Sequence, residues 1–308
     1  NVGTSGITGE GVDGMRLTVV GCSGSMAGPD SAASCYLVQA DDGAGRRWNV
    51  VLDLGSGAFG ALMRYIDPGG IDAVCLTHLH ADHCADLVGL SVWAKYAPGR
   101  SGVPVRLWGP RGTVERVRQL AGRCPGDEDS GAGGLAGGTG VGTGGSGDED
   151  WAGGDGHGPW VMDEIFEVRT WAPGAVVGIG PLRVTPYVAD HPVEAYALRL
   201  AGPSEREGDG EAILTYTGDS DVGAGVEAAS AEADLLLAEA AFVDGRDGVT
   251  GVHMTATQAA ALAVRARAKS LVLTHIAPWD DPGAALAAAR AIYPGPTHLA
   301  TPGAVHAV

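Results

Sequence analysis

No run of 18 apolar residues occurs anywhere in this 308-residue chain, so no membrane-spanning helix and no membrane partner are expected. Basic residues are scarce: 20 Lys and Arg stand against 37 Asp and Glu, for a formal charge of -17. A protein that coats nucleic acid or an anionic membrane needs basic surface, so both classes are disfavoured. Cysteine is thin as well. The five residues Cys22, Cys35, Cys75, Cys84 and Cys124 are odd in number and show no CxxC spacing. That argues against a disulfide framework and fits reduced thiols in a cytoplasm. The first fourteen residues have neither the basic nor the apolar region of a signal peptide, and residues 1–14 read as a flexible N-terminal segment. What is plentiful is apolar residues, at 45%, enough for a sizeable core, and glycine, at 51 residues with no collagen-like period.

Much of that glycine falls in one place. Between Gly126 and Gly158, 15 of the 33 positions are Gly, seven are Asp or Glu and none is Lys or Arg. This stretch reads as a flexible acidic insert within a single domain spanning 15–308, because long surface insertions cost little closure entropy. Outside it, strand patterns alternate with helix patterns. Strands are expected at 15–20, 34–39, 48–52, 71–76, 105–108, 166–171, 182–188, 195–200, 212–217, 233–237 and 271–273. Helices are expected from about Gly57 to Ile66, Ala85 to Tyr96, Gly112 to Ala121 and Thr255 to Ala268, with a last one from Pro282. Thr255 and Gln258 have capping-box spacing, and Pro282 suits a first turn. The alternation makes the class α/β.

The strongest chemical signal is Thr77-His78-Leu79-His80-Ala81-Asp82-His83, which packs three His and one Asp into six residues. His78 and His80, two apart in extended chain at a strand end, project to one side. Asp82 and His83 fall where a helix starts and turn toward a neighbouring position. One segment thus feeds two adjacent metal ions, and neutral imidazole with carboxylate suits Zn, with Mn or Fe as alternatives. Further candidate ligands, His191, Asp219 and His275, each follow a strand, where α/β folds place functional groups.

With His191, Asp219 in Thr217-Gly218-Asp219-Ser220, and His275 in Leu273-Thr274-His275-Ile276-Ala277-Pro278, the motif resembles the metallo-β-lactamase superfamily. The resemblance implies an αββα sandwich, two mixed sheets flanked by helices, with a dinuclear site along one edge. It assigns His78, His80 and His191 to one metal, Asp82, His83 and His275 to the other, and Asp219 as the bridge. Asp53 resembles the family's early Asp, which steadies the metal loop without ligating; the competing reading is a helix N-cap near Gly55. Gly21-Cys22-Ser23-Gly24-Ser25, and Glu239-Ala240-Ala241-Phe242 followed by His253-Met254-Thr255, resemble the ribonuclease Z-like branch. There the His of the HxT segment serves the phosphate or the leaving group. Within that branch the sequence resembles actinobacterial cyclic-AMP phosphodiesterases.

The resemblance implies a dinuclear hydrolase of a small phosphodiester, a cyclic nucleotide such as 3′,5′-cAMP. Two divalent ions outweigh the carboxylates facing them, so the centre attracts an anionic substrate despite the acidic chain. Asp82 is the candidate acceptor of the water proton. His253 is the candidate donor to the leaving oxygen, its imidazole held by Glu239; the alternative is a structural histidine at a helix start. Cys84 is expected to pack as a small apolar residue rather than to ligate. Trp279 is either a base-stacking residue or a capping hydrophobe. The competing functions are a ribonuclease Z-type tRNA endonuclease, for which residues 126–158 supply no basic arm, an ester or lactone hydrolase, and an inactive metal scaffold. A homodimer is compatible with the sequence.

Overall fold

The computed structural model describes residues 14–98, 102–121, 165–205 and 210–308. The expected N-terminal segment, apart from Gly14, and the Gly-rich insert lie outside the described residues.

The first half of the chain builds one sheet. Its strands are β1 (Arg16–Ser23), β2 (Ala32–Ala33), β3 (Cys35–Asp41), β4 (Arg47–Leu52), β5 (Ala73–Cys75), β6 (Val105–Gly109) and β7 (Phe166–Thr170). A later strand, β15 (Val305–Ala307), closes its edge beside β1. The order is β15-β1-β3-β4-β5-β6-β7, with β2 against β1. The second sheet holds β8 (Val177–Ile179), β9 (Leu182–Val188), β10 (Tyr196–Pro203), β11 (Glu211–Tyr216), β12 (Leu235–Glu239), β13 (Leu271–Thr274) and β14 (Thr297–Leu299), in the order β14-β13-β12-β11-β10-β9-β8. Each sheet is antiparallel on one side and parallel on the other. In the first, β4 to β7 are parallel; in the second, β11 to β14 are.

Strands covered on both faces read as near-continuous apolar runs. Leu235–Glu239 and Leu271–Thr274 are buried at every position. Between the sheets, Leu17, Val19, Tyr36 and Leu52 pack with Leu198, Leu214, Leu237 and Val272. Each such side chain contributes about 1.5–3 kcal/mol on burial. The outer face of the first sheet is covered by α1 (Ala58–Leu62), α3 (Leu87–Tyr96) and α4 (Thr113–Leu120), through Leu62, Leu87, Leu90 and Val117. The outer face of the second is covered by α5 (Ala224–Ser230), α6 (Ala256–Ala266) and α7 (Pro282–Arg290). This is an αββα sandwich of two mixed sheets flanked by helices.

Two local expectations need correction. The helix read from Ala85 begins at Leu87 as α3, and a separate short helix, α2 (Ala81–Cys84), precedes it directly after His80. Asp86 stands between the two, and its carboxylate accepts from the Phe59 amide at 2.8 Å. Asp53 is not a helix cap either. The N-cap of α1 is Gly57, in the left-handed region at φ 76°. The Thr255–Gln258 capping box at α6 is present in both directions.

Candidate metal centre

The carboxyl ends of the parallel strands from both sheets meet along one edge, the usual place for sites in such sheets. β5 leads into Thr77 and His78, β11 into Asp219, β12 ends on Glu239, and β13 leads into His275. Two close approaches make this convergence sterically tight. A Cβ on Gly55 would meet the Asp82 carbonyl oxygen at 1.9 Å, and one on Gly218, already at φ 57°, would lie 2.8 Å from Thr77 Cβ. Only glycine, which lacks that atom, fits both places.

Asp53 is the buried hub beneath the centre. Its Oδ1 accepts from the Thr77 amide at 2.7 Å. Its Oδ2 accepts from Thr77 Oγ1 at 2.8 Å, from His83 Nδ1 at 2.7 Å and from Tyr216 Oη at 2.9 Å. Asp53 adopts φ 55°, a conformation non-glycine residues rarely take, and so does His275 at φ 58°. The first fixes a carboxylate under the histidine loop. The second turns the imidazole back off the end of β13.

Three imidazole nitrogens form the first donor group. His80 Nδ1 lies 3.0 Å from His78 Nε2 and 3.2 Å from His191 Nε2. Ligands about 2.0–2.1 Å from a tetrahedral ion sit roughly 3.3 Å apart, so this spacing matches a shared ion. The other ring nitrogens are occupied. His78 Nδ1 faces Thr77 Oγ1 at 3.1 Å, and His191 Nδ1 donates to the Val252 carbonyl at 2.8 Å. Such outer bonds fix the tautomer that presents the remaining nitrogen. Burial pushes all three imidazoles below their ordinary pKa, His78 furthest, so they are neutral donors.

The second group is Asp82, His83, Asp219 and His275. His83 Nε2 lies 3.1 Å from Asp219 Oδ1 and 3.5 Å from Asp82 Oδ2. His275 Nδ1 is 3.2 Å from Asp219 Oδ1 and 3.1 Å from Ser34 Oγ; its Nε2 takes the Ser25 amide at 3.2 Å and lies 3.6 Å from Asp82 Oδ2. Asp219 belongs to both groups, and within each the donor atoms lie within 4.8 Å of one another. Burial works against the Asp82 and Asp219 carboxylates, yet the neighbouring histidines hold both below the usual range. His275 is lowered by burial. His83 goes the other way: burial opposes its charge, but Asp219 and Asp53 together raise it. A positive charge is therefore favoured at that spot.

Two buried atoms test whether a metal fits. His83 Nε2 and Asp219 Oδ1 are both buried, and neither has an aligned hydrogen-bond partner among the described residues. An orphaned buried polar atom costs about 1–3 kcal/mol. Here two of them point into the same nest of imidazole and carboxylate, the donor set that suits a divalent transition metal. The residues fit the ions that the sequence implied.

Beside this centre stands His253. Its Nδ1 bonds Glu239 Oε1 at 2.9 Å, and its ring lies 5.5 Å from His191 and 5.6 Å from His275. It thus spans both donor groups. Glu239 is fully buried and also accepts from the amides of Ser220 at 2.8 Å and Ala241 at 3.0 Å. Burial raises Glu239, with His253 opposing; burial works against a charge on His253, but the Glu239 bond together with the Glu239 and Asp219 charges raises it. Cys84 is buried in the adjoining helix, with its thiol 3.2 Å from the His80 carbonyl, outside both donor groups. Trp279 is 64% exposed, so it is no buried capping hydrophobe. Sequence reading missed Ser34, Tyr216 and the Thr77 hydroxyl. Their bonds to the centre cross 241, 163 and 24 positions of chain, and no local pattern marks them.

Comparison with known proteins agrees with this geometry. Residues 28–178 match the metallo-beta-lactamase superfamily, and residues 155–276 match a beta-lactamase superfamily domain. The uncharacterized protein ML1173 of Mycobacterium leprae is 36% identical over 289 residues, 94% of this chain and 87% of that one. The probable metallo-hydrolase YhfI of Bacillus subtilis is 26% identical, covering 94% of this chain and 99% of its own. Its crystal structure superposes with a TM-score of 0.73 at 24% identity, over 96% of this chain and 99% of that one. A ribonuclease Z of Methanopyrus kandleri is 25% identical over 73% of this chain and 75% of its own. The chain belongs to the metallo-β-lactamase superfamily. By family and fold it is a metallo-hydrolase. No helix among the described residues is long and apolar enough to cross a membrane.

Proposed function

We propose that this protein is a dinuclear metallo-phosphodiesterase that takes two divalent ions, zinc with manganese or iron as alternatives, and hydrolyses a cyclic nucleotide such as 3′,5′-cAMP. The observation that carries the reading is the pair of donor groups sharing Asp219, with a carboxylate-held histidine standing over both. Bound ions supply Lewis acidity, which lowers the pKa of water and neutralises charge on a phosphoryl group.

The chain's own residues do the rest. His78, His80 and His191 would hold one ion, and Asp82, His83 and His275 the other, with Asp219 available to both. Asp82, half-buried at the edge of the second group, takes the proton of the attacking water. His253 has Nδ1 committed to Glu239, which leaves Nε2 to protonate the departing sugar oxygen. A positioned acid of this kind contributes typically about 10²- to 10⁴-fold. Glu239, fixed by two amides, keeps the ring in that orientation.

The test is a hydrolysis panel with metal-loaded protein: 3′,5′-cAMP, 2′,3′-cyclic nucleotides, bis(p-nitrophenyl) phosphate, a lactone and a pre-tRNA. His253→Ala should retain both ions and still cleave bis(p-nitrophenyl) phosphate, whose leaving group needs no proton. It should lose about 10²-fold or more on the cyclic nucleotide. Equal loss on both substrates makes His253 a phosphate-binding residue instead. The ribonuclease Z relative favours a second reading, tRNA 3′ processing. Cleavage of the pre-tRNA without cleavage of cyclic nucleotides selects it.

A further inference from the structure

We propose that the cavity between Phe242 and Trp279 is the nucleobase subsite of this centre, selecting a base with an exocyclic amino group. The proposal rests on the phosphodiesterase reading for where the phosphate lies.

The chain itself brings this cavity to the centre. β12 and β13 are adjacent and parallel, with Glu239 in register with Thr274. Just past that pair, one strand continues through Glu239 to Phe242, three residues on, and the other through His275 to Trp279, four residues on. The two aromatics line one cavity of about 330 Å³, together with Ile276, which follows His275 directly. Phe242 is also pinned at the centre's edge: its amide bonds the Met254 carbonyl at 3.0 Å, and its ring meets His253 edge-on at 5.0 Å. The His253 ring therefore links Phe242, at the cavity, to His191 and His275 of the two donor groups.

The lining decides what the cavity suits. Trp279 is 64% exposed, which leaves indole surface for a flat ligand to cover. Among the described residues the lining holds one cation, Arg246, which is bonded to both Asp247 and Asp280. None of the described lining residues leaves a free positive charge to hold a phosphate. Asp244, Asp280 and Asp281 give the wall a negative balance. Asp244 spends one oxygen on Thr257 at 2.5 Å and keeps the other for a donor. A stacked aromatic with N–H groups on its edge, such as adenine, suits this wall. Uracil, with two carbonyls on its edge, suits it poorly. The apolar cavity on the other side of the same loop, beside Cys22 and Pro278, has no aromatic ring in its lining.

The experiment compares 3′,5′-cAMP, 3′,5′-cUMP and the abasic ribose 3′,5′-cyclic phosphate on metal-loaded full-length protein. Base–aromatic stacking predicts that the wild type prefers cAMP over the abasic compound by about tenfold or more in kcat/KM, mostly through KM. Trp279→Ala, an exposed position that should not perturb folding, should erase that preference while metal content and the abasic rate stay unchanged. Asp244→Ala should narrow the cAMP-to-cUMP ratio and leave stacking intact. In parallel, adenosine is titrated against chelator-stripped protein by calorimetry. It should bind the wild type without metals and bind Trp279→Ala far more weakly. If the wild type cleaves cAMP and the abasic compound equally well, or Trp279→Ala keeps the preference, the subsite falls and the phosphodiesterase reading stands. If no phosphodiester is cleaved, that reading falls. The adenosine titration then decides the subsite alone, and absence of saturable binding by the stripped wild type overturns it.

Discussion

The two donor groups share Asp219 but live in different surroundings. In the first, His78 is buried, but His80 is exposed and His191 half-buried; in the second, His83 and His275 are buried, and the Asp82 side chain keeps only 12% exposure. The supports differ in the same sense. His191 leans on a single backbone carbonyl. His83 rests on Asp53, itself fixed by Thr77 and Tyr216, and His275 is held by Ser34 and the Ser25 amide. Ligands that are locked in place before an ion arrives lose less entropy on binding it, so the buried group is expected to hold an ion more tightly than the open group.

The largest expected effect removes what the groups have in common. Asp219→Ala should cost both ions, and with them essentially all hydrolytic activity. Elemental analysis of the purified variant checks this, and retention of roughly one ion per chain would show that the groups are independent rather than joined. Next in size is the asymmetry itself. His80→Ala should leave the buried ion in place, and His83→Ala should leave it missing. Stripping the wild type with a dilute chelator should release metal in two phases, the first ion well before the second. A single phase, or the loss of both ions from His80→Ala, would break the comparison.

Smaller effects probe the support. Asp53→Asn keeps the size and tolerates the left-handed backbone, but it puts an N–H₂ group among four donors. Metal affinity should fall about 10- to 100-fold, and the loss should fall on the buried group alone. Competition with a metallochromic dye measures it. Tyr216→Phe deletes one donor to Asp53 and leaves three. Its expected cost is about 0.5–1.5 kcal/mol of stability, read from denaturant unfolding, with metal content unchanged. A larger loss of metal than in Asp53→Asn would reverse the order of importance within the network.

The ligands that lie close together in the chain were easier to read in the sequence than the residues that support them from afar. His78, His80, Asp82 and His83 announce themselves because metal ligation needs rare residue types at short spacing. Strands such as Leu182–Val188, which begin and end where expected, were legible because turn residues bound them. Helix α5, Ala224–Ser230, was not: Ala-Gly-Val-Glu-Ala-Ala-Ser carries too little apolar periodicity to stand out. Nor were the edge strands β2, β8, β14 and β15, each two or three residues long, because so short a segment becomes a strand only when a sheet offers it a partner. Ser34 and Tyr216 escaped for a related reason. An ordinary serine and a strand tyrosine acquire a role at the centre only once two sheets bring distant chain together. Asp53 was visible as a candidate, but the choice between loop support and helix cap turned on where its oxygens point.

The left-handed backbone at Asp53 and His275 has a consequence for selection. A library screened for heat resistance alone should keep Asp53, because the buried donors from Thr77, His83 and Tyr216 would be orphaned without its carboxylate. At His275 it should admit glycine, which adopts this conformation without strain, and those winners would discard a candidate ligand. Survivors of a stability screen and survivors of an activity screen should therefore differ at the His275 codon. The histidine found there marks a position where the fold gave up local comfort to keep its chemistry.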